Sequence, residues 1–440
     1  MRKIVFFLFL FLSSYNFLQA QNPIVPAGMY MSDPSAHAWK DGRLYVYGSR
    51  DESCDYYCSK SYDVLSTTDL KTWTITKNSF SSVGANDQVS YSDNLLYAPD
   101  AQYKDGIYYL YYCLAEAENV EGVATSTNPN GPFLKGKNIK LRGLNQIDPA
   151  VFMDDDGQAY YIWGQFAAKM AKLNPDMETI DESSIKDSVV TEKEHFFHEG
   201  GYMIKHNGIY YFIYAHMGRA GMPTCIGYST SRHPMGPFKY GGVIIDNDHC
   251  DPGNWNNHGC LVEFHNHWYV FYHRSTNGCN TMRKACLEPI AFNKDGSINE
   301  VEMTSQGAGL PLNAKEKIDA ERACLLYGNV RIQPFEPVNE QLGGIRNNDK
   351  AAYKYIDFEK GLDSVVINVA PGEKPGVIDI ALDDSWGPSI ASVKIPGNGD
   401  GKIWMVFKAA IKKTNGLHAV WLRFTTEGVN TFNVDWFKFK

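Results

Sequence analysis

Residues 148–161 read DPAVFMDDDGQAYY: a polar residue opens a short apolar run, an Asp-Gly turn follows, and an aromatic strand completes the phrase. Close variants of this phrase occur five times, with starts about 50 to 70 residues apart. That spacing is somewhat longer than the period usual for four-stranded propeller blades. The opening residues, called blade heads below, are Asp33, Asp100, Asp148, Glu199 and His258. The repeat predicts five blades, and heads that hold the same place in each blade would meet at one axis.

The composition favours an all-β globular protein. The 440 residues are 44% hydrophobic, which allows a large core and two or three domains. Helical periodicity is nearly absent, whereas strand-length runs bounded by Asn-Gly and Asp-Gly turns are frequent. The formal net charge is −8 and no Lys/Arg run accompanies the aromatic residues, which excludes nucleic acid as a partner. The 27 Tyr and 9 Trp residues suit strand packing and, in part, stacking on sugar rings.

The N-terminus has the pattern of a secretory signal peptide. Residues 1–3 carry positive charge, residues 4–12 are apolar, and Ala20 precedes a predicted cut before Gln21. The apolar stretch is too short for a membrane anchor, and no other segment approaches the length of a membrane span. We therefore expect an exported monomer, periplasmic or extracellular.

Nine cysteines are present, an odd number in a compartment that permits disulfides. The pairs that lie close enough in sequence to bond are Cys54 with Cys58, Cys250 with Cys260, and Cys279 with Cys286. The sequence leaves the connectivity open. A zinc site is the alternative, but the spacings fit no usual ligand pattern.

A change in composition separates two domains. The polar, Gly-containing stretch 304–311 ends in Pro and follows the last hairpin signal, which predicts a linker. Alternating strands resume beyond it and are typical of a β-sandwich. The predicted organisation is a signal peptide at 1–20, a five-bladed β-propeller at 21–305, a linker at 306–317 and a β-sandwich (jelly-roll) domain at 318–440.

Three of the blade heads are carboxylates suited to hydrolysing a glycosidic bond. That reaction needs a carboxylic acid to protonate the leaving oxygen and a carboxylate that attacks the sugar or activates water. A third carboxylate nearby supports the acid by like-charge repulsion. Asp33, Asp148 and Glu199 have this chemistry, although Asp before Pro also opens ordinary turns and Glu before Gly-Gly can end a strand. Their recurrence at the heads of the repeats favours a catalytic role.

At these motifs the chain resembles glycoside hydrolase family 43, over roughly residues 24–305. The motifs that carry the resemblance are Ser32-Asp33-Pro34, Ala98-Pro99-Asp100, Ile147-Asp148-Pro149 and His198-Glu199-Gly200. The resemblance implies a five-bladed propeller that hydrolyses with inversion. It implies that Asp33 is the general base that activates water, that Glu199 is the general acid, and that Asp148 tunes and orients that acid. The family usually has Glu-Gly-Pro where this chain has Glu199-Gly200-Gly201, which loosens the turn and leaves the acid in place.

The same resemblance gives roles to three more residues. His258 resembles the channel histidine that reaches a buried calcium or water cluster in many members, with a core histidine as the alternative. Arg283 stands where members carry an arginine that binds substrate hydroxyls, and a solvent-facing arginine is the alternative. Asp100 lines the pocket or only forms a Pro-Asp turn. No organic cofactor is expected.

The distal domain resembles family 6 carbohydrate-binding modules, on Asp319-Ala320-Glu321 at its start and Asn433-Val434-Asp435-Trp436 at its end. The resemblance implies that Asn433 binds sugar together with Tyr353 and Trp404. It also implies that Glu321 and Asp435 are ligands of a structural calcium ion, which prefers oxygen donors. The alternative role for this domain is to pack on the propeller and stabilise it.

We predict an inverting glycosidase that releases pentose units from plant cell-wall glycans such as arabinoxylan or arabinan. It would be an α-L-arabinofuranosidase or a β-D-xylosidase. The fold alone does not decide between these two sugars. The alternatives are another propeller glycosidase, such as a galactosidase or a sialidase, and a glycan-binding propeller without activity. A sialidase would need an arginine cluster, which does not stand out, and a binding protein gains little from three carboxylates that repel one another.

Overall fold

The computed structural model describes residues 21–116, 120–141, 146–428 and 431–440, and the predicted signal peptide at 1–20 lies outside them. Within these ranges β-strands dominate, and the only α-helix is the single turn α1 (Glu192–His195). Short 3-10 turns occur at Gly84–Asn86, Glu182–Ser184 and Ala320–Arg322. Among the described residues, no helix is long and apolar enough to cross a membrane.

The first domain is a five-bladed propeller of antiparallel sheets. Blade I has β1 (Met31–Ala38), β2 (Leu44–Arg50), β3 (Ser61–Thr67) and β4 (Thr74–Ser81). Blade II has β5 (Leu96–Lys104), β6 (Ile107–Leu114), β7 (Glu121–Ser126) and β8 (Leu134–Asn138). Blade III has β9 (Ala150–Met153), β10 (Ala159–Trp163), β11 (Ala167–Lys172) and β12 (Lys186–Thr191). Blade IV has β13 (Phe197–His206), β14 (Ile209–His216), β15 (Cys225–Ser231) and β16 (Lys239–Asp246). Blade V has β17 (Cys260–Phe264), β18 (His267–Thr276) and β19 (Cys279–Ile290).

The first strands of the blades surround the axis, because each of β1, β5, β9, β13 and β17 contacts the next and β17 contacts β1. Residues 22–24 close the ring on blade V. The Ile24 amide donates to the Ala285 carbonyl at 2.9 Å, and the Leu287 amide donates to Asn22 Oδ1 at 2.9 Å. Strand β1 also pairs in parallel with β19, so blades I and V form one seven-stranded sheet. Closure therefore leaves no free sheet edge at the seam.

The second domain is a β-sandwich. Its strands are β20 (Leu312–Asn313), β21 (Ile318–Asp319), β22 (Leu325–Tyr327), β23 (Arg331–Glu336), β24 (Asn339–Gly343), β25 (Lys350–Asp357), β26 (Leu362–Pro371), β27 (Gly376–Leu382), β28 (Ser389–Ile395), β29 (Met405–Thr414), β30 (Leu417–Thr426) and β31 (Phe432–Phe439). One sheet has the order β20-β25-β30-β27-β28 and the other β23-β24-β31-β26-β29. Alternating apolar residues from both sheets, such as Val365, Ile367 and Val369, fill the core between them.

The segment predicted as a linker at 306–317 is built into the sandwich. The amides of Ser305 and Gln306 both donate to the Lys354 carbonyl, at 2.6 and 3.0 Å. Leu312 is fully buried and belongs to β20, which pairs in parallel with β25. The Gly and Pro residues of this stretch correctly indicated a break in the strand pattern. The segment at this break is a short connection packed against the sandwich and not a free linker.

The disulfide joins cysteines that are distant in sequence. Cys54, in the loop between β2 and β3, bonds to Cys279 at the start of β19, and the other seven cysteines are free and buried. None of the three sequence-neighbour pairs forms. Ring closure brings blade I beside blade V, and this proximity could not be read from local spacing.

Candidate active site

The backbone is irregular at each of the three carboxylate heads. Asp33 and Asp148 have φ angles of 51° and 56°, in the left-handed region that is costly for most residues other than Gly and that Asn and Asp tolerate better than the rest. The pairing of β1 with β2 shifts register next to Asp33, and that of β13 with β14 shifts next to Glu199. Such bulges redirect side chains away from the sheet. Strain of this kind clusters at functional sites.

All three heads line one cavity of about 220 Å³. Its walls are formed by Asp33, Tyr57, Cys58, Tyr97, Ile147, Asp148, Gln165, His198, Glu199, Trp255, Asn256, His258 and Arg283. The volume lies below the roughly 300–1,000 Å³ of typical ligand pockets, which suits a single sugar unit. Residues from all five blades or their adjoining loops meet here. Four of the five heads, Asp33, Asp148, Glu199 and His258, line the cavity, and Asp100 does not.

Asp33 sits in a network of hydrogen-bond donors. Arg283 Nη1 donates to Asp33 Oδ1 at 2.8 Å, and Ser49 Oγ donates to Oδ2 at 2.6 Å. Asp51 holds the same guanidinium through two bonds of 2.9 Å, from Nε and Nη2. Burial opposes the charge on Asp33, but the Arg283 guanidinium helps to outweigh it and the pKa of Asp33 lies well below its usual range. Asp33 therefore stays ionised, as a general base must.

Asp148 has the opposite environment. Burial, followed by the negative charges of Glu199 and Asp33, raises the pKa of Asp148 well above its usual range. Asp148 consequently holds a proton to higher pH than an ordinary aspartic acid does. Carboxyl groups whose pKa values are driven apart in one cavity are typical of acid/base sites.

Glu199 is half-buried and faces the cavity. Its Oε2 accepts a hydrogen bond from Gln165 Nε2 at 2.7 Å. The next residue, Gly200, has a φ of 66°, and a Cβ there would lie 2.8 Å from two ring atoms of His258. Only glycine fits at this position, so the backbone can turn close to the histidine and present Glu199 to the cavity.

His258 lies between two of the carboxylates. Its Nδ1 is 3.6 Å from Asp33 Oδ1 and 3.9 Å from Asp148 Oδ2, too far for direct hydrogen bonds. Burial lowers the pKa of His258, so the ring is neutral near pH 7. A second histidine, His273, was not predicted from the sequence. Its Nδ1 accepts the Asp33 backbone N–H at 3.2 Å, and its Nε2 lies 3.2 Å from the Asn256 carbonyl, which fixes its tautomer.

Two of the predicted substrate-binding residues have clear positions in the propeller. Arg283 lines the cavity and is only 2% exposed, so the solvent-facing alternative is wrong. Contact between Arg283 and substrate hydroxyls stays a prediction. Asp100 does not line the cavity, because it is 1% exposed and its carboxylate binds Ser35 Oγ, His37 Nε2 and the Val151 amide. The Asp100 prediction is corrected: this head joins blades instead of facing the axis.

The predicted sugar site of the sandwich is only partly assembled. Tyr353 is fully buried in the core and its hydroxyl donates to the Ala320 carbonyl at 2.8 Å, so it cannot reach a sugar. Asn433 instead lines an open cleft of about 740 Å³ with Trp404 and Phe335. The rings of Trp404 and Phe335 have centroids 4.9 Å apart, so they pack on each other and offer one combined apolar surface.

The residues predicted to bind calcium do not form a side-chain cage. Among the described ranges, no group of three or more His, Cys, Asp or Glu side chains could hold a metal ion. Asp435 already accepts hydrogen bonds from Asn368 at 2.9 Å and Asn339 at 3.4 Å. Glu321 differs, because its buried Oε2 has no hydrogen-bond partner in the described part of the chain. Calcium can complete its sphere with carbonyls and water, so the oxygen chemistry at Glu321 suits it. The ring nitrogens of His258 do not suit calcium, because this ion prefers oxygen donors.

Sequence reasoning missed the residues that hold Asp33 in place. Ser49 lies near the end of β2, Asp51 directly follows that strand, and His273 lies within β18, where no repeated phrase marks them. Trp255 and Gln165 also line the cavity without a motif of their own. The only available signal was the polar run Ser49-Arg50-Asp51 at the end of an aromatic strand, and such runs are too common to single out.

Family models match almost the whole described chain. The model of glycosyl hydrolases family 43 matches residues 20–298, and that of carbohydrate binding module family 6 matches residues 320–440. A xylosidase/arabinosidase of Thermoclostridium stercorarium is 31% identical, over 93% of this chain and 97% of that protein.

Two solved structures are similar. One is a family 43 arabinoxylan arabinofuranohydrolase from Bacillus subtilis in complex with cellotetraose, with 27% identity, a TM-score of 0.57, and coverage of 96% of this chain and 97% of that one. The other is a β-xylosidase/α-arabinofuranosidase from a compost metagenome, bound to xylotriose in a calcium-free form. It is 28% identical with a TM-score of 0.55, and the match covers 64% of this chain and 98% of that one.

Proposed function

Because the chain belongs to glycosyl hydrolases family 43 and is thus a glycosidase, we propose that it releases single pentose units from plant cell-wall glycans. The released unit is α-L-arabinofuranose or β-D-xylose, and arabinoxylan or arabinan is the natural polymer. The observation that carries the proposal is the small cavity in which Asp33, Asp148 and Glu199 converge. The names of the similar proteins, xylosidase/arabinosidase and arabinoxylan arabinofuranohydrolase, support the choice of pentose.

In this mechanism the ionised Asp33 takes a proton from a water molecule, whose oxygen attacks the anomeric carbon. Glu199 gives its proton to the glycosidic oxygen as the bond from that oxygen to the sugar breaks. The products are a pentose of inverted configuration and the shortened glycan. The bonds from Arg283 and Ser49 fix the Asp33 carboxylate in one orientation. Asp148 orients the acid and limits the negative charge in the cavity by holding its own proton.

Sugars released from arabinoxylan, arabinan and xylo-oligosaccharides, separated by anion-exchange chromatography, test the substrate class. Glu199→Gln should lower kcat by about 10²- to 10⁴-fold on natural glycans, the usual contribution of a general acid. The loss should be much smaller on dinitrophenyl pentosides, whose leaving group needs no proton. Glu194→Gln, an exposed glutamate on α1, is the matched control and should be silent. Equal losses of Glu199→Gln on both substrates, or unchanged activity of this variant on natural glycans, would exclude Glu199 as the general acid.

Proton NMR of the first-formed sugar tests the role of Asp33. A general base acting through water gives inversion at the anomeric carbon, whereas a nucleophilic carboxylate gives retention. Asp33→Asn should therefore abolish turnover on every substrate, activated or not. A product with retained configuration would contradict the assignment of Asp33 as base.

We also propose that the sandwich binds glycan in the cleft of Asn433, with Trp404 and Phe335 in place of the buried Tyr353. Asn433 Nδ2 donates to the Gly401 carbonyl at 3.0 Å, which leaves its Oδ1 available to a sugar hydroxyl. Trp404→Ala and Asn433→Ala should weaken retention of the protein in affinity electrophoresis on arabinoxylan while turnover of small pentosides stays unchanged. Unchanged retention in both variants would leave the sandwich with a structural role alone.

A structural calcium ion beside Glu321 is a further part of the proposal, and the unpaired buried Oε2 of Glu321 supports it. Calcium would neutralise a carboxylate whose pKa burial and the neighbouring Asp319 raise to about 7. Adding calcium to EDTA-treated protein should raise Tm, and Glu321→Gln should remove that response. Glu316→Gln, an exposed neighbour, should keep it. A Tm that is insensitive to calcium in the unaltered protein would contradict this site.

We propose that the protein works outside the cytoplasm. The Cys54–Cys279 disulfide supports this location, because such bonds persist in oxidising compartments. Cell fractionation and N-terminal sequencing of the mature protein test it, with Gln21 expected as the first residue. A cytoplasmic protein that retains Met1 would contradict the proposal.

A further inference from the structure

One residue of the cavity wall differs from all the others in its exposure. Trp255 is 42% exposed, whereas every other residue that lines the cavity is buried or half-buried. An exposed indole at the rim of a small pocket offers apolar area that a bound ligand can cover. The catalytic carboxylates occupy the buried part of the same wall, so Trp255 stands at the mouth.

The backbone on both sides of Trp255 is held firmly. Asn254 Nδ2 donates to Asn247 Oδ1 at 2.8 Å, and Ser275 Oγ donates to Asn254 Oδ1 at 2.9 Å. On the other side, Asn247 Nδ2 donates to the Asn256 carbonyl at 2.9 Å. Among the described residues, no hydrogen bond or aromatic contact holds the indole itself. The ring is therefore an exposed apolar surface on a rigid loop, which lowers the entropic cost of binding.

The sandwich supports the same loop from outside the propeller. The Leu326 amide donates to the His249 carbonyl at 2.7 Å, and the ring of Tyr327 stacks on His249 with centroids 4.4 Å apart. Within the loop, Asp251 accepts the amides of Gly253 and Gly278, at 2.7 and 3.1 Å. The second domain thus fixes the segment that presents Trp255, besides any glycan binding of its own.

We infer that Trp255 is a specificity-determining residue for the part of the substrate that protrudes from the cavity. A cavity of about 220 Å³ holds only the pentose that is to be released. The sugar to which that pentose is attached must therefore lie at the mouth of the cavity. Flat apolar faces of sugar rings stack on aromatic side chains. The indole of Trp255 stacks on the xylose ring of the leaving chain. This inference rests on the proposed function, because it takes a pentose polymer as the substrate.

Binding and turnover together test the inference. Xylotriose and an arabinose-substituted xylo-oligosaccharide are titrated by calorimetry into Glu199→Gln protein, with and without Trp255→Ala, and both proteins also carry Trp404→Ala to disable the proposed sandwich cleft. Trp255→Ala should weaken the affinity about tenfold, and in the active enzyme it should raise KM for the oligosaccharide with little change in kcat. The inhibition constant of free pentose, which fills only the cavity, should stay within about twofold. Trp255→Phe should restore most of the affinity.

Trp386→Ala is the matched control, because Trp386 is 81% exposed in the sandwich and lines neither cleft. It should change none of these values. An unchanged oligosaccharide affinity in Trp255→Ala, or an equal loss for free pentose, overturns the inference while the proposed function stands. A Glu199→Gln protein that binds no pentose oligosaccharide overturns both. Retained binding by Trp255→Phe shows that a loss in Trp255→Ala comes from the missing ring and not from misfolding.

Discussion

At the scale of single residues, the cavity separates carboxyl groups that are chemically alike. Asp33 receives bonds from Arg283 and Ser49 and stays ionised, whereas Asp148 is buried beside other carboxylates and resists ionisation. The guanidinium that sets this difference is itself anchored by Asp51. The partners of Asp33 therefore matter to its proposed role as base, since the Arg283 guanidinium opposes the burial that would otherwise favour protonation of this carboxylate.

The raised pKa of Asp148 predicts that the native residue lowers stability. A folded-state pKa above the unfolded value near 4 means that folding retains a proton, so stability falls as pH rises above about 4. Asp148→Asn removes this dependence and keeps a side chain that tolerates the φ of 56°. We expect Tm of the variant to exceed that of the native protein by several degrees at pH 8 and by little at pH 4, while activity is lost.

Calorimetry across this pH range checks the Asp148 prediction. Asp156→Asn, an exposed residue in the turn of the same blade, should shift Tm by less than about 1 °C at any pH. A gain from Asp148→Asn that is equal at pH 4 and pH 8 would mean that the carboxyl does not titrate as described.

Site residues that occur in a repeated motif could be predicted from the sequence, and most of those outside such a motif could not. Asp33, Asp148 and Glu199 were found because each opens the same phrase in its own blade. Asp100 opens that phrase too, but its carboxylate turns to Ser35 and the Val151 amide between blades. A repeated pattern predicts where a residue stands in its blade, and the local backbone and the neighbouring blades decide where its side chain points.

At the scale of secondary-structure elements, the bulge after Glu199 depends on Gly200. Gly200→Ala should lower kcat/KM by about 100-fold, because a Cβ 2.8 Å from the His258 ring displaces either that ring or Glu199, and a misplacement of about 1 Å costs that much. The left-handed φ of 66° adds roughly 1–2 kcal/mol of destabilisation. Steady-state kinetics and thermal melts separate the two effects.

Gly208→Ala is the matched control for the bulge. Gly208 lies in the turn of the same hairpin with a φ of 71°, and a Cβ there would meet nothing within 4 Å. It should show a similar fall in Tm with activity retained. If Gly208→Ala lost as much activity as Gly200→Ala, backbone strain would explain the effect and the contact with His258 would not.

The element pattern was predictable to the extent that it is local. Asp-Gly and Asn-Gly turns between apolar runs gave the hairpins of the blades, as in Asn207-Gly208, where both residues have positive φ. Three other features involve partners from distant parts of the chain. They are the Cys54–Cys279 disulfide, the packing of Asn22 beside β19, and the pairing of β20 with the sandwich. No local signal marks them, because each exists only once the ring has closed.

At the scale of the whole molecule, the two domains share a buried ion pair. Lys284 of blade V and Glu340 of β24 are 4% and 0% exposed and bond to each other, and Tyr30 also donates to Glu340 at 3.0 Å. Removing one partner of a buried pair costs about 3–5 kcal/mol, whereas apolar replacement of both is often tolerated. Glu340→Gln should therefore lower Tm by about 10 °C. Lys284→Met with Glu340→Met should recover much of that loss, and a double variant no better than the single one would contradict the account.

Removal of residues 306–440 tests whether the propeller depends on the sandwich for its stability and activity. A propeller that carries every catalytic head could keep its turnover after truncation, provided that the sandwich covers nothing essential. Truncation would remove three contacts between the domains. The buried Lys284 would lose its partner Glu340, the His249 carbonyl would lose the Leu326 amide, and the Asn277 amide would lose the Ile332 carbonyl. We expect the isolated propeller to be poorly soluble or to melt far below the full chain, and its residual activity to fall more on oligosaccharides than on aryl pentosides because the Trp255 loop loses its support. A truncated protein that melts with the full chain and keeps the same ratio of the two activities would show that the domains are independent and that the sandwich acts only by holding glycan.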